Sequence, residues 1–251
     1  SLIYDNIYKN MIFNLKKFSN RIAVIDNDIK YKYKDIIKDI DSFDLKNQEK
    51  SLFFLLADNS YETLVAYLYC IKLKISVVLI DKKISREFLK KYIDLYKPKF
   101  IFCSKNYNFY SENFKKYSTF KNSILFSSLK KRNYEIYEGL FLLLPTSGST
   151  GDPKFVRLSY SNIIHNTKSI IKYLSINKDQ ITITTLPFNY SYGLSVINSH
   201  LLVGSKIVFN NHSVLEKKFW IDFKKYKVTS FAGVPFTYRL LIKLKNNYYY
   251  A

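Results

Sequence analysis

The nine residues Thr146-Ser147-Gly148-Ser149-Thr150-Gly151-Asp152-Pro153-Lys154 are the stretch of this chain whose side chains can do chemistry together. Glycines without a Cβ let the backbone turn tightly and bring its N–H groups close to an anion. Ser and Thr hydroxyls add donors, and one of them can offer a hard oxygen to a metal ion. Lys154 adds a point charge. Together these groups describe a phosphate site. It is not the P-loop G-x-x-x-x-G-K-[ST], because Gly151 is followed by Asp152 and Pro153 rather than by Lys and a hydroxyl residue. Clusters of Ser, Thr and Gly also occur as plain loops. This cluster, however, follows the apolar run Gly139-Leu140-Phe141-Leu142-Leu143-Leu144, the pattern of a buried strand, and precedes a helical stretch from Ser161.

Other reactive residue types form no such constellation. His165, His200 and His212 lack metal-ligand spacing and lie near no cysteine pair, so none is assigned a role. Cys70 and Cys103 sit in separate apolar segments and read as buried thiols of a reducing compartment.

The elements around the loop alternate. Tyr4 to Phe18 has helical spacing, Ile22–Ile25 and Ile29–Tyr33 form a hairpin, and Lys34–Phe43 is a helix. Strands at Ser51–Leu56, Ile75–Ile80 and Phe100–Cys103 alternate with helices at Tyr61–Leu73 and Ser85–Tyr96. The segment from Lys105 to Tyr137 is polar and aromatic, and is expected to be irregular apart from a strand at Ser123–Phe126. Beyond the loop come a short strand at Val156–Leu158, a helix from Ser159 to Leu174, and a strand at Ile181–Leu186. The last elements are a helix at Gly193–Leu202, a strand at Ile207–Phe209, a helix at Val214–Lys225, a strand at Val228–Ala232 and a helix at Pro235–Lys245. This alternation predicts an α/β fold with mainly parallel sheets flanked by helices. Two subdomains are expected, residues 1–135 and residues 136–251, the second carrying the loop.

Composition bounds the partners. The 251 residues are 47% apolar and carry a net charge of +20. Such a charge is a nucleic-acid signal in principle. Only five of the 40 basic residues are Arg, however (Arg21, Arg86, Arg132, Arg157 and Arg239), and the lysines are dispersed. Arg is the residue favoured for bidentate phosphate and base recognition. The chain is also rich in Lys, Asn, Ile, Tyr and Phe, all of which use A/T-rich codons, so the charge reads largely as genome composition. No segment approaches the ~20 apolar residues of a membrane span. The N-terminus lacks the basic and apolar regions of a signal peptide, which makes a cytoplasmic location the expectation. Oligomeric state is not legible.

The loop Thr146 to Lys154 resembles the signature of the AMP-forming adenylating enzymes: acyl-CoA synthetases, adenylation domains of peptide synthetases and luciferases. The core T-S-G-[ST]-T-G-x-P-K is matched throughout, while Phe155 stands where the family usually has Gly. Two segments behind it resemble the same family in the same order. In Leu186-Pro187-Phe188-Asn189-Tyr190-Ser191-Tyr192-Gly193, Tyr190 takes the place of a His common in acyl-CoA synthetases. In Val228-Thr229-Ser230-Phe231-Ala232-Gly233-Val234-Pro235, Gly233 matches a residue that lines the acyl pocket. Leu73-Lys74 departs from the family, which has Ala-Gly there.

The resemblance implies an acid–thiol ligase. It would join a carboxylic acid to ATP, release pyrophosphate, and pass the acyl group to coenzyme A or a carrier-protein pantetheine. On this reading Ser147, Gly148, Ser149, Thr150 and Gly151 hold the β- and γ-phosphates. Lys154 stabilises the loop or its phosphates, and Thr146 contacts Mg²⁺. Tyr190 and Gly233 face the acid. No acidic residue lies between Leu186 and Gly204 to pair with an ammonium, which favours an acid without an α-amino group. The family's aromatic-Gly-x-Thr-Glu and Thr-Gly-Asp segments and its C-terminal lysine domain do not occur before Ala251, so the chain is expected to be an N-terminal part that is inactive alone. Two alternatives stay open: a non-catalytic nucleotide-binding module of the same fold, and a basic nucleic-acid-binding protein.

Overall fold

The computed structural model describes residues 15–43, 45, 50–130, 134–146 and 154–247, with backbone only for 244–247. The first predicted helix lies outside them except for its end, where residues 15–17 are helical and Leu15 is fully buried.

Two sheets divide three layers of helix. The larger has the order β6-β7-β5-β3-β4-β8-β9. Its centre is parallel: β5 (Phe100–Ser104), β3 (Leu52–Ala57), β4 (Ser76–Asp81) and β8 (Leu140–Pro145). Antiparallel strands close both edges: β7 (Ser123–Ser128) and β6 (Phe114–Phe120) on one side, β9 (Phe155–Ser159) on the other. The smaller has the order β12-β10-β11-β1-β2. There β12 (Ser230–Phe231), β10 (Ile181–Ile183), β11 (Lys206–Val208) and β1 (Ile22–Asp26) run parallel, and β2 (Ile29–Lys32) is the antiparallel edge.

The main core fills the space between the sheets. Phe53, Leu55, Val77, Leu79, Phe100 and Phe102 point into it from the larger sheet, and Ile207 from the smaller. Four helices lie in this layer: α1 (Tyr33–Asp41), α2 (Tyr61–Leu73), α4 (Tyr160–Leu174) and α5 (Ser191–Leu202). Helix α2 is buried almost all round, so its sequence is apolar on every side rather than along one stripe. Its N-cap is Ser60, whose hydroxyl accepts the Thr63 N–H at 3.2 Å. The outer face of the larger sheet is covered by α3 (Arg86–Tyr96) through Leu89. That of the smaller is covered by α6 (Lys217–Lys225) and α7 (Pro235–Asn247), through Phe219 and Leu240.

The α/β class with mostly parallel sheets is therefore as the alternation predicts. Three details differ. The segment 105–137 is not irregular at its centre: Phe114–Phe120 pairs with β7 as a hairpin. Strand β10 stops at Ile183 and β12 spans two residues. And β1 pairs with β11, while β8 pairs with β4, so both sheets draw strands from either side of residue 135.

Candidate functional site

Strand β8 delivers the chain to the loop. It leaves the sheet at Pro145, and β9 returns at Phe155, with Pro145 opposite Phe155 and Leu144 opposite Val156. Between these strands, Thr146 closes the base of the loop. Its backbone N–H and its hydroxyl both donate to the Lys154 carbonyl, at 3.0 and 3.1 Å. The Thr146 hydroxyl thus spends its proton within the loop base and keeps its oxygen lone pairs, the state in which a hydroxyl can ligate a cation. Thr146 and Lys154 are both exposed. The expected phosphate contacts Ser147, Gly148, Ser149, Thr150 and Gly151 lie outside the described residues.

Parallel pairing puts Thr146 at the same sheet end as Asp81 and Asp58, the carboxyl ends of the strands, where ligands of open α/β sheets bind. The carboxyl ends of the smaller sheet meet them there. A cavity of about 440 Å³ lies between, lined by Asp58 and Asp81 from one sheet and by Leu186 and Asn210 from the other. A second cavity, of about 490 Å³, runs from Asp81 and Lys83 to Pro145 and Phe155, and Asn189 lines both.

A buried polar clasp fixes the two sheets at this edge. Asn59 donates from Nδ2 to the Leu186 carbonyl at 3.1 Å, and its own carbonyl accepts from Asn211 at 3.3 Å. Asn210 donates its N–H to the Thr184 hydroxyl at 2.8 Å, and that hydroxyl donates to the Asn210 carbonyl at 3.1 Å. Nearby, the Asp26 carboxylate at the end of β1 accepts the Tyr61 N–H at 2.8 Å, at the start of α2. Burial raises the Asp26 pKa to about 6.

Tyr190 is the residue before α5, half exposed, with its N–H on the Pro187 carbonyl at 3.1 Å. Gly193 is required here by close approach: a Cβ on it would stand 2.2 Å from that carbonyl oxygen. Gly233 lies between β12 and α7, where a Cβ would meet the Tyr238 ring at 3.0 Å. Thr146 and Lys154 are in direct contact, whereas no described hydrogen bond links either of them to Tyr190 or Gly233. A third cavity, of about 470 Å³, joins two of these neighbourhoods. It is lined by Leu144, two residues before Thr146, and by Ser191, the residue after Tyr190.

The histidines and cysteines stay outside the site. Cys70 and Cys103 are free and buried, and burial pushes both thiols up, Cys103 to about 12. Burial lowers the pKa of His200, whose Nδ1 lies 2.7 Å from the Val196 carbonyl. Among the described residues no group of three or more His, Cys, Asp or Glu could hold a metal ion. No helix among them is long and apolar enough to cross a membrane. Asn59 reads from sequence only as part of a helix cap. Its role in joining the sheets depends on Leu186 and Asn211, far along the chain, and no local signal points to it.

With this geometry in view, the chain can be set beside known proteins. The sequence model of a family described as AMP-binding enzyme matches residues 14–251, and the chain belongs to that family. It is 23% identical over 173 residues to a D-alanine–D-alanyl carrier protein ligase of Staphylococcus aureus (strain Newman), which covers 67% of this chain and 35% of the ligase. The chain thus spans about a third of that curated relative. Its fold is similar to that of apo MatB from Rhodopseudomonas palustris, with a TM-score of 0.72 at 16% identity, over 95% of this chain and 51% of MatB. It is equally similar to the O-succinylbenzoate coenzyme A synthetase of Bacillus subtilis in complex with AMP, with a TM-score of 0.72 at 16% identity, over 96% of this chain and 65% of that one.

Proposed function

We propose that this chain is the N-terminal part of an AMP-forming carboxylic acid ligase, which makes an acyl-adenylate and pyrophosphate from an acid and ATP and then transfers the acyl group to a thiol. The observation that carries the reading is the Thr146–Lys154 closure at the carboxyl end of β8. It holds the two ends of the Ser/Thr/Gly stretch together at the sheet edge where both cavities open.

A carboxylate is a poor acylating agent because its leaving group would be oxide. Adenylation replaces that leaving group with AMP. The step at the α-phosphate asks the protein mainly for placement and charge neutralisation. In this reading Ser147, Gly148, Ser149, Thr150 and Gly151 cradle the β- and γ-phosphates, and Lys154 neutralises them. Mg²⁺ fits the site through Thr146, whose oxygen is free to ligate, with phosphate oxygens and water completing its shell. Tyr190, at the mouth of the third cavity, and Gly233 lie towards the acid. The absence of an acidic residue from Pro187 to Val203 favours an acid without an α-ammonium group. The acceptor is the thiol of coenzyme A or of a carrier-protein pantetheine. Residues 1–251 alone do not complete the reaction.

Hydroxylamine trapping tests this. The whole protein, given ATP, Mg²⁺ and a panel of carboxylic acids, is expected to form an acyl hydroxamate with at least one acid and none without ATP. No hydroxamate with any acid contradicts the proposal. Robust acid-dependent exchange of pyrophosphate into ATP by residues 1–251 would contradict the claim that they are inactive alone.

A further inference from the structure

We propose that the cavity between α4 and α5 takes the side chain of the acid, and that the Asn198 amide selects an acid bearing a hydroxyl group remote from its carboxylate. The inference rests on the ligase reading and names the class of acid.

The cavity, of about 470 Å³, has an apolar wall of Leu144, Leu158, Ile163 and Leu194. Four of its lining residues follow one stripe of α5: Ser191, Leu194, Ser195 and Asn198. Along that stripe the cavity deepens. Ser191 is exposed, Ser195 is half-buried, and Asn198 is 2% exposed. Seven helical residues separate Ser191 from Asn198, a depth of about 10 Å, which suits a medium-length acyl chain.

At the floor the amide is only half used. Asn198 donates from Nδ2 to the Tyr67 hydroxyl at 3.2 Å, while its Oδ1 is buried with no hydrogen-bond partner. Turning the amide over exchanges which end is unpaired without pairing both. Buried polar atoms are normally satisfied, and one left over at the end of an apolar cavity points to a partner supplied from outside. A hydroxyl suits either orientation, because it can donate to the oxygen or accept from the nitrogen. The Tyr67 hydroxyl is held protonated by burial and adds no charge. No carboxylate lines the cavity, so nothing there calls for an ammonium. The mouth at Ser191 adjoins Tyr190, and Leu144 leads to Thr146, so an acid bound this way would present its carboxylate towards the loop.

The test is isothermal titration of the whole protein, without ATP, using ω-hydroxyoctanoate and octanoate as probes. The unaltered protein is expected to bind the hydroxy acid about tenfold more tightly, the scale of one or two buried hydrogen bonds. Asn198→Leu is expected to abolish or reverse that preference. Ser195→Phe, which fills the cavity from a half-buried position, is expected to weaken both acids. It also serves as the second variant if Asn198→Leu does not fold. Equal binding of the two acids, a preference that survives Asn198→Leu, or binding of neither acid overturns the proposal, the cavity then holding water only. Acid-dependent exchange of pyrophosphate into ATP, measured alongside, separates the two readings. No exchange with any acid, while the hydroxy acid still binds through Asn198, overturns the ligase reading alone. Exchange whose choice of acid ignores Asn198 overturns the cavity assignment alone.

Discussion

In the larger sheet, β3 and β4 pair over six residues, and every side chain of the two strands except Asp81 is buried. In the smaller sheet, β10 and β11 pair over three residues, and side chains make the next hydrogen bonds. The Thr184 hydroxyl exchanges bonds with both backbone groups of Asn210, the Thr229 hydroxyl accepts the Ile181 N–H at 2.9 Å, and the Ser205 hydroxyl donates to the Gln180 carbonyl at 2.7 Å. One sheet is held by apolar burial along long strands. The other has short strands stitched to their neighbours by hydroxyl and amide groups. The difference bears on function, because the short-stranded sheet leaves its carboxyl edge open beside the loop, while the long-stranded sheet supplies the rigid support from which the loop springs.

The contrast can be broken by mutation. Phe53 is fully buried in the larger sheet, packed against Phe100 and Phe102. Phe53→Ala is expected to lower unfolding free energy by about 3–5 kcal/mol in chemical denaturation, the usual cost of such a truncation. In the smaller sheet, Thr184→Val keeps shape and loses the hydroxyl that serves Asn210. The expected loss is about 1–3 kcal/mol, the cost of a buried polar group left without its partner. A larger loss for Thr184→Val than for Phe53→Ala would undo the comparison.

Two smaller effects sharpen it by adding stability. Asp26 ends β1 with a pKa raised by burial to about 6, from an ordinary 3.8. A raised carboxyl pKa means that the folded state favours the protonated form. That contribution is complete below pH 3.8 and is lost as pH rises through about 6. Asp26→Asn keeps an oxygen for the Tyr61 N–H and is expected to flatten this pH dependence, with a gain of about 1 kcal/mol at neutral pH. Lys74 ends α2 in the left-handed region, at φ 56°, where the related family carries glycine. Lys74→Gly relieves that conformation, and a rise in melting temperature equivalent to about 0.5–1 kcal/mol is expected.

These residues also show what the sequence can and cannot disclose. Strand β8 and its loop are legible because a Leu-rich run and a Gly/Ser/Thr stretch are both local signals. The start of α4 is legible for the same reason: the Ser159 hydroxyl accepts the Asn162 N–H at 3.1 Å, and the Asn162 side chain returns the bond at 2.9 Å. Strand β6 is hidden because it is an edge. Its exposed lysines and the bulge between Lys116 and Ser118 break the alternation that marks a half-buried strand. The short ends of β10 and β12 are hidden because their hydrogen bonds pass to side chains. The clasp at Asn59, the carboxyl of Asp26 at the start of α2 and the half-paired amide of Asn198 are invisible for a different reason. Each depends on a partner brought near by the fold, and a polar residue in an apolar neighbourhood looks the same whether or not that partner exists.

The central claim is that the loop closed by Thr146 and Lys154 handles the phosphates of ATP while an acid is activated. Acid-dependent exchange of labelled pyrophosphate into ATP, compared between the unaltered whole protein and Lys154→Ala, tests it most directly. The account predicts exchange that needs a carboxylic acid and falls by about 100-fold or more in Lys154→Ala, the scale of one lost electrostatic donor in a preorganised site. Exchange that proceeds unchanged in Lys154→Ala, or that no acid elicits from the unaltered protein, would contradict it.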